Sequence, residues 1–166
     1  MGFSTDYRKW RGGVCKINLT GPGWDPAWVP SARSAMKMWN AATAKFKFME
    51  DASSAANIHL AAYKFRSQGW IGFTQLRPSK PGSYLTGRDV LINLWYEFNP
   101  PHSTETAGDT AGPYQLETIL AHEFGHLLHL NEDLSGSATM MRPVIKPGQS
   151  RKLHNDDIAG IKTLYP

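Results

Sequence analysis

Two histidines and a glutamate stand close together in residues 121–133, AHEFGHLLHLNED. His122 and His126 are four positions apart, so on an α-helix both side chains project from one face, one turn apart. Two imidazoles placed in this way can bind one Zn²⁺ ion, and Glu123, beside the first of them, is a candidate general base. The spacing therefore indicates a catalytic zinc site. The alternative is a chance match, in which both histidines are ordinary core or surface residues.

The residues before this motif favour a helix that would carry it. Asp109 and Thr110 are capping types, and Pro113 suits a first helical turn. Apolar residues then recur at helical spacing and would form one buried stripe: Leu116, Ile119, Leu120, Phe124, Leu127 and Leu128. The pattern predicts a helix that begins near residues 109–113 and continues through the motif.

The motif and two segments after it, SATMMRP and DDIAGIKTLYP, resemble the matrixins, the metzincin subgroup that contains the matrix metalloproteinases. The metzincin pattern is H-E-x-x-H-x-x-G-x-x-H, followed by a tight turn with a methionine beneath the zinc. Met141 falls on that methionine, and residues 156–165 are similar to the matrixin C-terminal helix. The resemblance is specific over residues 115–166 and weaker before them. It implies a zinc-dependent endopeptidase with Glu123 as its general base.

Two positions depart from the metzincin pattern. His129 stands where the family has the glycine that lets the chain turn back toward the metal, and histidine is one of the residues enriched at positive φ. Glu132 stands at the position of the third ligand, and a His₂Glu set is known in catalytic zinc sites. We take Glu132 as the first candidate for that ligand. Asp133, one residue further, and His129, on the same helical face, are the alternatives.

The order of elements predicts an α+β fold. Alternating apolar residues predict strands over residues 14–19, 45–49, 57–65, 70–76 and 89–98. Capping residues and helical spacing predict a long N-terminal helix after Asp25, over residues 26–43, and a final helix capped by Asn155. The resemblance implies a metzincin-like (zincin) domain with a mixed twisted sheet and an antiparallel edge strand. We expect one catalytic domain over residues 1–166, with residues 131–166 as a small C-terminal subdomain.

The resemblance also implies where a substrate would bind. Two stretches would line the cleft, the edge strand and the loop after the methionine turn, through Trp70, Ile71, Gly72, Phe73, Pro143 and Val144. The loop would bound the pocket for the first residue after the scissile bond. An extended peptide or protein substrate could then add as a strand to the edge strand.

Other ions and partners are constrained more weakly. Residues 77–88 lack the His and Asp pattern with which matrix metalloproteinases bind structural Ca²⁺ and a second Zn²⁺, so we expect these ions to be absent or different. The net charge of +4 is dispersed, which does not favour nucleic-acid binding. No apolar run is long enough to span a membrane. We expect the single Cys15 to be buried in a strand and His102 to be solvated.

The remaining expectations concern the state of the protein and its function. We expect a monomer that is secreted, with its signal and any pro-segment absent from this chain. Two other functions stay open, the first of them because of the changes at His129 and Glu132. The chain could be an inactive zinc-binding relative that works as a protein-binding module. It could also be a zinc hydrolase of a non-peptide amide.

Overall fold

The computed structural model describes residues 5, 8–66, 69–77, 85, 87 and 89–166. Within these residues one mixed sheet contains five strands: β1 (Val14–Asn18), β2 (Lys47–Glu50), β3 (Ile58–Tyr63), β4 (Gly72–Gln75) and β5 (Asp89–Asn93). Their order is β2-β1-β3-β5-β4. All neighbours are parallel except β4, which runs antiparallel to β5 at the edge. The predicted mixed sheet with an antiparallel edge strand is confirmed.

Three α-helices accompany this sheet in the described part of the chain: α1 (Val29–Asn40), α2 (Leu116–Leu127) and α3 (Asn155–Leu164). Helix α2 carries the motif and packs against both α1 and β4. Two buried indoles also anchor it. Trp39 Nε1 donates to the carbonyl of Ala121, and Trp10 Nε1 donates to the carbonyl of Leu127, each at 2.8 Å. The helix that carries both histidines is therefore fixed near its middle and at its end.

Helix α2 begins at Leu116 and not at residues 109–113 as predicted. Gly112 adopts a positive φ of 99°, so a right-handed helix cannot run through this position. Strand β7 (Tyr114–Gln115) follows two residues later and pairs with β6 (Phe98–Asn99). Asp109 accepts a hydrogen bond from the N–H of Ala111 at 2.6 Å, so it closes a local turn instead of capping the helix.

Strand β5 ends at Asn93, five residues before the predicted end at residue 98. The fully buried Asn93 side chain accepts from the N–H groups of Phe65 at 2.9 Å and Trp95 at 3.0 Å. Its amide donates to the carbonyl of Trp70 at 3.1 Å. These bonds turn the chain out of the sheet, because a side-chain amide can compete with the backbone ladder.

Helix α1 differs from prediction at both ends, and helix α3 differs at its start. Asp25 caps as predicted, but it caps a short 3-10 turn, Pro26–Trp28, that precedes α1. Helix α1 ends at Asn40 and not at residue 43, because the Asn40 side chain pairs with the backbone of Phe48 in β2 at 2.7 and 2.9 Å. Helix α3 is capped by His154 and not by Asn155.

The environment of His102 also differs from prediction. Its side chain is only 12% exposed, and its ring packs edge-on against Trp28 with centroids 5.1 Å apart. His102 Nδ1 accepts from the N–H of Glu105 at 3.1 Å. The residue thus folds its loop onto the start of α1 and is not solvated.

Cys15 is fully buried in β1, as predicted. We expected structural Ca²⁺ and a second Zn²⁺ to be absent or different at residues 77–88. Most of these residues lie outside the part of the chain that the structure describes. No helix in the described part of the chain combines the length and apolar character needed to cross a bilayer.

Candidate metal centre

Both motif histidines lie on α2 with one ring nitrogen already engaged. Nδ1 of His122 is 2.9 Å from the carbonyl oxygen of Met140, and Nδ1 of His126 is 2.9 Å from that of Leu130. A carbonyl can only accept, so each Nδ1 carries a proton. Nε2 is then the nitrogen of each ring that would bind a metal, which is the arrangement that second partners of metal-binding histidines normally enforce.

Glu132 brings a carboxylate oxygen to the same place. Its Oε1 lies 3.4 Å from Nε2 of His122 and 3.4 Å from Nε2 of His126. A tetrahedral ion with bonds of roughly 2.0–2.1 Å keeps its ligands roughly 3.3–3.4 Å apart. Among the described residues these three form a group whose ligand atoms all lie within 4.8 Å of one another. Three acceptors that face one another at this spacing fit a zinc ion.

The pKa values at the site shift toward the ionised forms of Glu132 and His126. Burial alone would raise the pKa of Glu132, but the two neighbouring imidazoles outweigh it and lower that pKa to about 2. Burial alone would lower the pKa of His126, but Glu132, Glu123 and the Leu130 carbonyl together raise it. The Glu132 carboxyl group is therefore ionised at neutral pH, which is the form that can bind a cation.

A turn after α2 brings Glu132 to the histidines. His129 adopts φ 62°, the left-handed conformation that the family's glycine would allow. Its N–H donates to the carbonyl of His126 at 2.9 Å, and the N–H of Leu130 donates to that of Gly125 at 3.1 Å. This is the bonding of a Schellman motif. The prediction that His129 can make the turn is confirmed, and the turn also places the Leu130 carbonyl against His126.

The two alternative third ligands lie elsewhere. Asp133 is 3% exposed, and its carboxylate oxygens accept from the N–H of Ser135 at 2.9 Å and from the hydroxyl of Thr139 at 2.8 Å. A hydrogen bond from the side chain of Ser135 is the largest influence that lowers the pKa of Asp133. Asp133 thus stabilises the loop. His129 lines the cleft but is outside the group of converging ligand atoms.

A methionine turn lies beneath the two histidines. The carbonyl of Met140 binds His122, and the side chain of Met141 packs against Gly125 so closely that a Cβ on that glycine would stand 2.1 Å from Sδ. Asp157 of α3 accepts from the N–H of Met140 at 2.9 Å and from that of His154 at 2.7 Å. The C-terminal helix therefore anchors the turn that carries Met140 and Met141.

A cleft of about 530 Å³ opens over the histidines. Glu123 lies in its wall and is 5% exposed. Five of the six predicted substrate-binding residues line it: Trp70, Ile71, Gly72, Phe73 and Pro143. Val144 does not. It is 61% exposed, and its neighbour Ile145 takes the place in the lining.

Two residues at the site carried no prediction. The Arg151 guanidinium donates to the carbonyls of Val144 and Arg142, the latter at 2.7 Å, and so shapes the loop that bounds the cleft. Nothing in the sequence distinguishes it from other loop cations. The hydroxyl of Thr74 donates to Glu123 at 2.6 Å. This contact could have been expected from the sequence. Gly72 was predicted to line the cleft, and Thr74, two residues later in the same strand, shares its face.

Comparison with known proteins agrees with this geometry. The model of the family described as Matrixin matches residues 26–166. Human matrix metalloproteinase-19 is 33% identical over 137 residues, which make up 80% of this chain and 25% of that protein. Mouse matrix metalloproteinase-19 is 32% identical over 145 residues, 82% of this chain and 25% of that protein. The chain thus spans about a quarter of the length of these relatives. The family match over most of its length shows that the chain belongs to the matrixins, a family of metalloproteases.

Proposed function

We propose that this chain is a zinc-dependent endopeptidase that hydrolyses peptide bonds with Glu123 as general base. One observation supports it most strongly: His122, His126 and Glu132 converge at the spacing of zinc ligands inside the cleft that Glu123 also lines. Membership of the matrixins supports zinc as the ion and a peptide bond as the target.

The chain's own residues would divide the work between them. His122, His126 and Glu132 would hold the ion, and the Glu132 carboxylate would neutralise part of its charge. When bound, zinc supplies Lewis acidity toward a water molecule and a carbonyl group. Glu123 would take a proton from the attacking water and later give it to the leaving amine.

The edge strand would bind the substrate. Among the residues that the structure describes, strand β4 pairs with β5 on one side and with no strand on the other, and residues of β4 line the cleft. An extended peptide could pair with the other side of β4, so that backbone hydrogen bonds supply affinity and side-chain pockets supply selectivity. Phe73, 47% exposed in this strand, offers an apolar surface to such a peptide. Pro143 and Ile145 would bound the pocket on the opposite wall.

The test is cleavage of an unfolded protein by four samples: the native chain, the chelated chain, Glu123→Ala and Glu117→Ala. Glu117 is the matched control, because it is a glutamate in the first turn of the same helix. We expect the native chain and Glu117→Ala to cleave, and the chelated chain and Glu123→Ala to lose nearly all turnover. Turnover retained by Glu123→Ala would contradict the general-base assignment.

Two other results would point to other functions. A native chain that binds zinc but cleaves no peptide would favour a binding module. Chelator-sensitive hydrolysis of small amides without peptide cleavage would favour the non-peptide hydrolase. We further propose that the protein acts outside the cell, as the resemblance to exported proteases suggests. A tagged full-length protein that stays in the cytosol would contradict this.

A further inference from the structure

We propose that Thr74 is a positioning residue for Glu123. Its hydroxyl would hold one carboxylate oxygen of Glu123 and leave the other oxygen to take the reacting proton. This inference rests on the proposed role of Glu123 as general base. It concerns a strand residue, outside the helical motif, that has no place in the H-E-x-x-H pattern.

The contact is short and selective. Thr74 Oγ1 lies 2.6 Å from Oε2 of Glu123 and 2.9 Å from the backbone carbonyl oxygen of the same residue. A hydroxyl has one proton to donate, and the shorter contact to a charged acceptor is the stronger of the two. The hydroxyl therefore engages Oε2, and Oε1 remains as the oxygen available to accept a proton from water.

Strand β4 contacts Glu123 through two residues that lie on the same face of the strand. Gly72 and Thr74 are alternate residues of β4, so both face helix α2. A Cβ on Gly72 would stand 2.7 Å from Oε1 and 2.9 Å from Cγ of Glu123, which leaves no room for a side chain there. The register is set by pairing with β5, Gly72 with Ile92 and Thr74 with Val90. The strand thus presents bare backbone beside Oε1 and a donor to Oε2.

Loss of the donor should therefore affect chemistry more than substrate binding. Glu123 is 5% exposed, and a buried carboxylate that loses a hydrogen-bond donor is both less stable and free to rotate. Thr74 lies on the face of β4 that meets Glu123, whereas substrate would pair with the backbone edge of the strand. A change of the hydroxyl alone leaves that edge intact.

The test compares Thr74→Val, which keeps the shape but not the hydroxyl, with Thr74→Ser, which keeps the hydroxyl. We expect Thr74→Val to lower kcat roughly 10- to 100-fold, the effect of one lost bond to a charged group, with KM within about 2-fold. Zinc content should be unchanged, and Thr74→Ser should restore kcat to within a few-fold. Wild-type kcat in Thr74→Val, or equal losses in both variants at equal zinc content, would overturn the proposal.

A second measurement does not depend on activity. Urea unfolding in chelator gives the effect of Thr74→Val on stability in the wild-type and Glu123→Ala backgrounds. We expect the substitution to destabilise the wild type more than Glu123→Ala, because the bonded partner is present only in the former. Equal effects in both backgrounds would show that Thr74 does not hold Glu123. If the wild-type chain cleaves no peptide, the proposed function fails. The comparison of unfolding in the two backgrounds still decides whether the contact between Thr74 and Glu123 exists.

Discussion

The packing of Met141 against Gly125 gives a prediction whose size can be worked out from distances. Gly125 lies on α2 directly before His126, and an alanine Cβ there would stand 2.1 Å from Sδ of Met141. It would also stand 3.1 Å from Cζ2 of Trp39. Non-bonded heavy atoms prefer separations of roughly 3.5–4.0 Å, so Gly125→Ala requires the methionine to retreat by about 1.5 Å.

There is little space for that retreat, because Met141 is 1% and Trp39 0% exposed. Overpacking of a core costs about 1–3 kcal/mol, while alanine gains about 0.8–1.0 kcal/mol over glycine inside a helix. We expect Gly125→Ala to lower the free energy of unfolding by up to about 2 kcal/mol. For a chain of this length the corresponding fall in Tm is up to roughly 8 °C. Zinc affinity should fall about 10-fold, since the displaced turn carries the carbonyl that orients His122.

Urea unfolding in chelator and a zinc titration measure these two effects. The same substitution in a Met141→Ala background is the control, because the clashing side chain is gone. There Gly125→Ala should be neutral or stabilise by up to about 1 kcal/mol through helix propensity alone. A Gly125→Ala chain as stable as wild type, with wild-type zinc affinity, would refute the close packing beneath the helix.

Substitutions at three further positions test contacts that support the fold and the site. Burial opposes ionisation of Asp25, but the bonds from Ser103 outweigh it and keep its pKa below the usual value. Asp25→Ala should therefore lower the free energy of unfolding in urea at pH 7 by about 0.5–2 kcal/mol. The difference from wild type should shrink as the pH falls below about 4 toward the folded pKa, because the wild-type carboxylate becomes protonated and loses this stabilisation. Arg151→Lys, which cannot bridge several carbonyls, should raise KM and expose residues 142–150 to limited proteolysis without loss of zinc; an unchanged KM would contradict the clamp. His129→Val should cost about 1–3 kcal/mol and weaken zinc binding, because a β-branched residue resists positive φ, whereas His129→Gly should resemble wild type in both measurements.

The sequence was most informative where chemistry depends on local spacing. The separation of His122 and His126 placed both on one helical face, and the tolerance of histidine for positive φ allowed the turn at His129. Matrixin resemblance supplied the antiparallel edge strand, which alternation alone does not distinguish from a parallel one. These features follow from neighbours along the chain or from a known order of elements.

Predictions failed where the same residue types serve two purposes. Asp109 looked like a helix cap but closes a loop turn, since Asp stabilises both. Asn93 lies in an apolar run that predicted one long strand, and its buried amide ends the strand through partners far away in sequence. The clamp by Arg151 depends on the path of the loop around it, which no local pattern encodes.

The zinc dissociation constant of Glu132→Ala, beside wild type and His129→Asn, tests the proposed ligand set most directly. Asparagine tolerates positive φ, so His129→Asn removes an alternative imidazole ligand while keeping the turn. We expect Glu132→Ala to weaken zinc binding by more than about 100-fold, beyond the 10- to 100-fold loss that is typical for a residue hydrogen-bonded to a ligand. His129→Asn should bind zinc almost as tightly as wild type. Near wild-type affinity in Glu132→Ala, or a large loss in His129→Asn, would show that the third ligand is not Glu132.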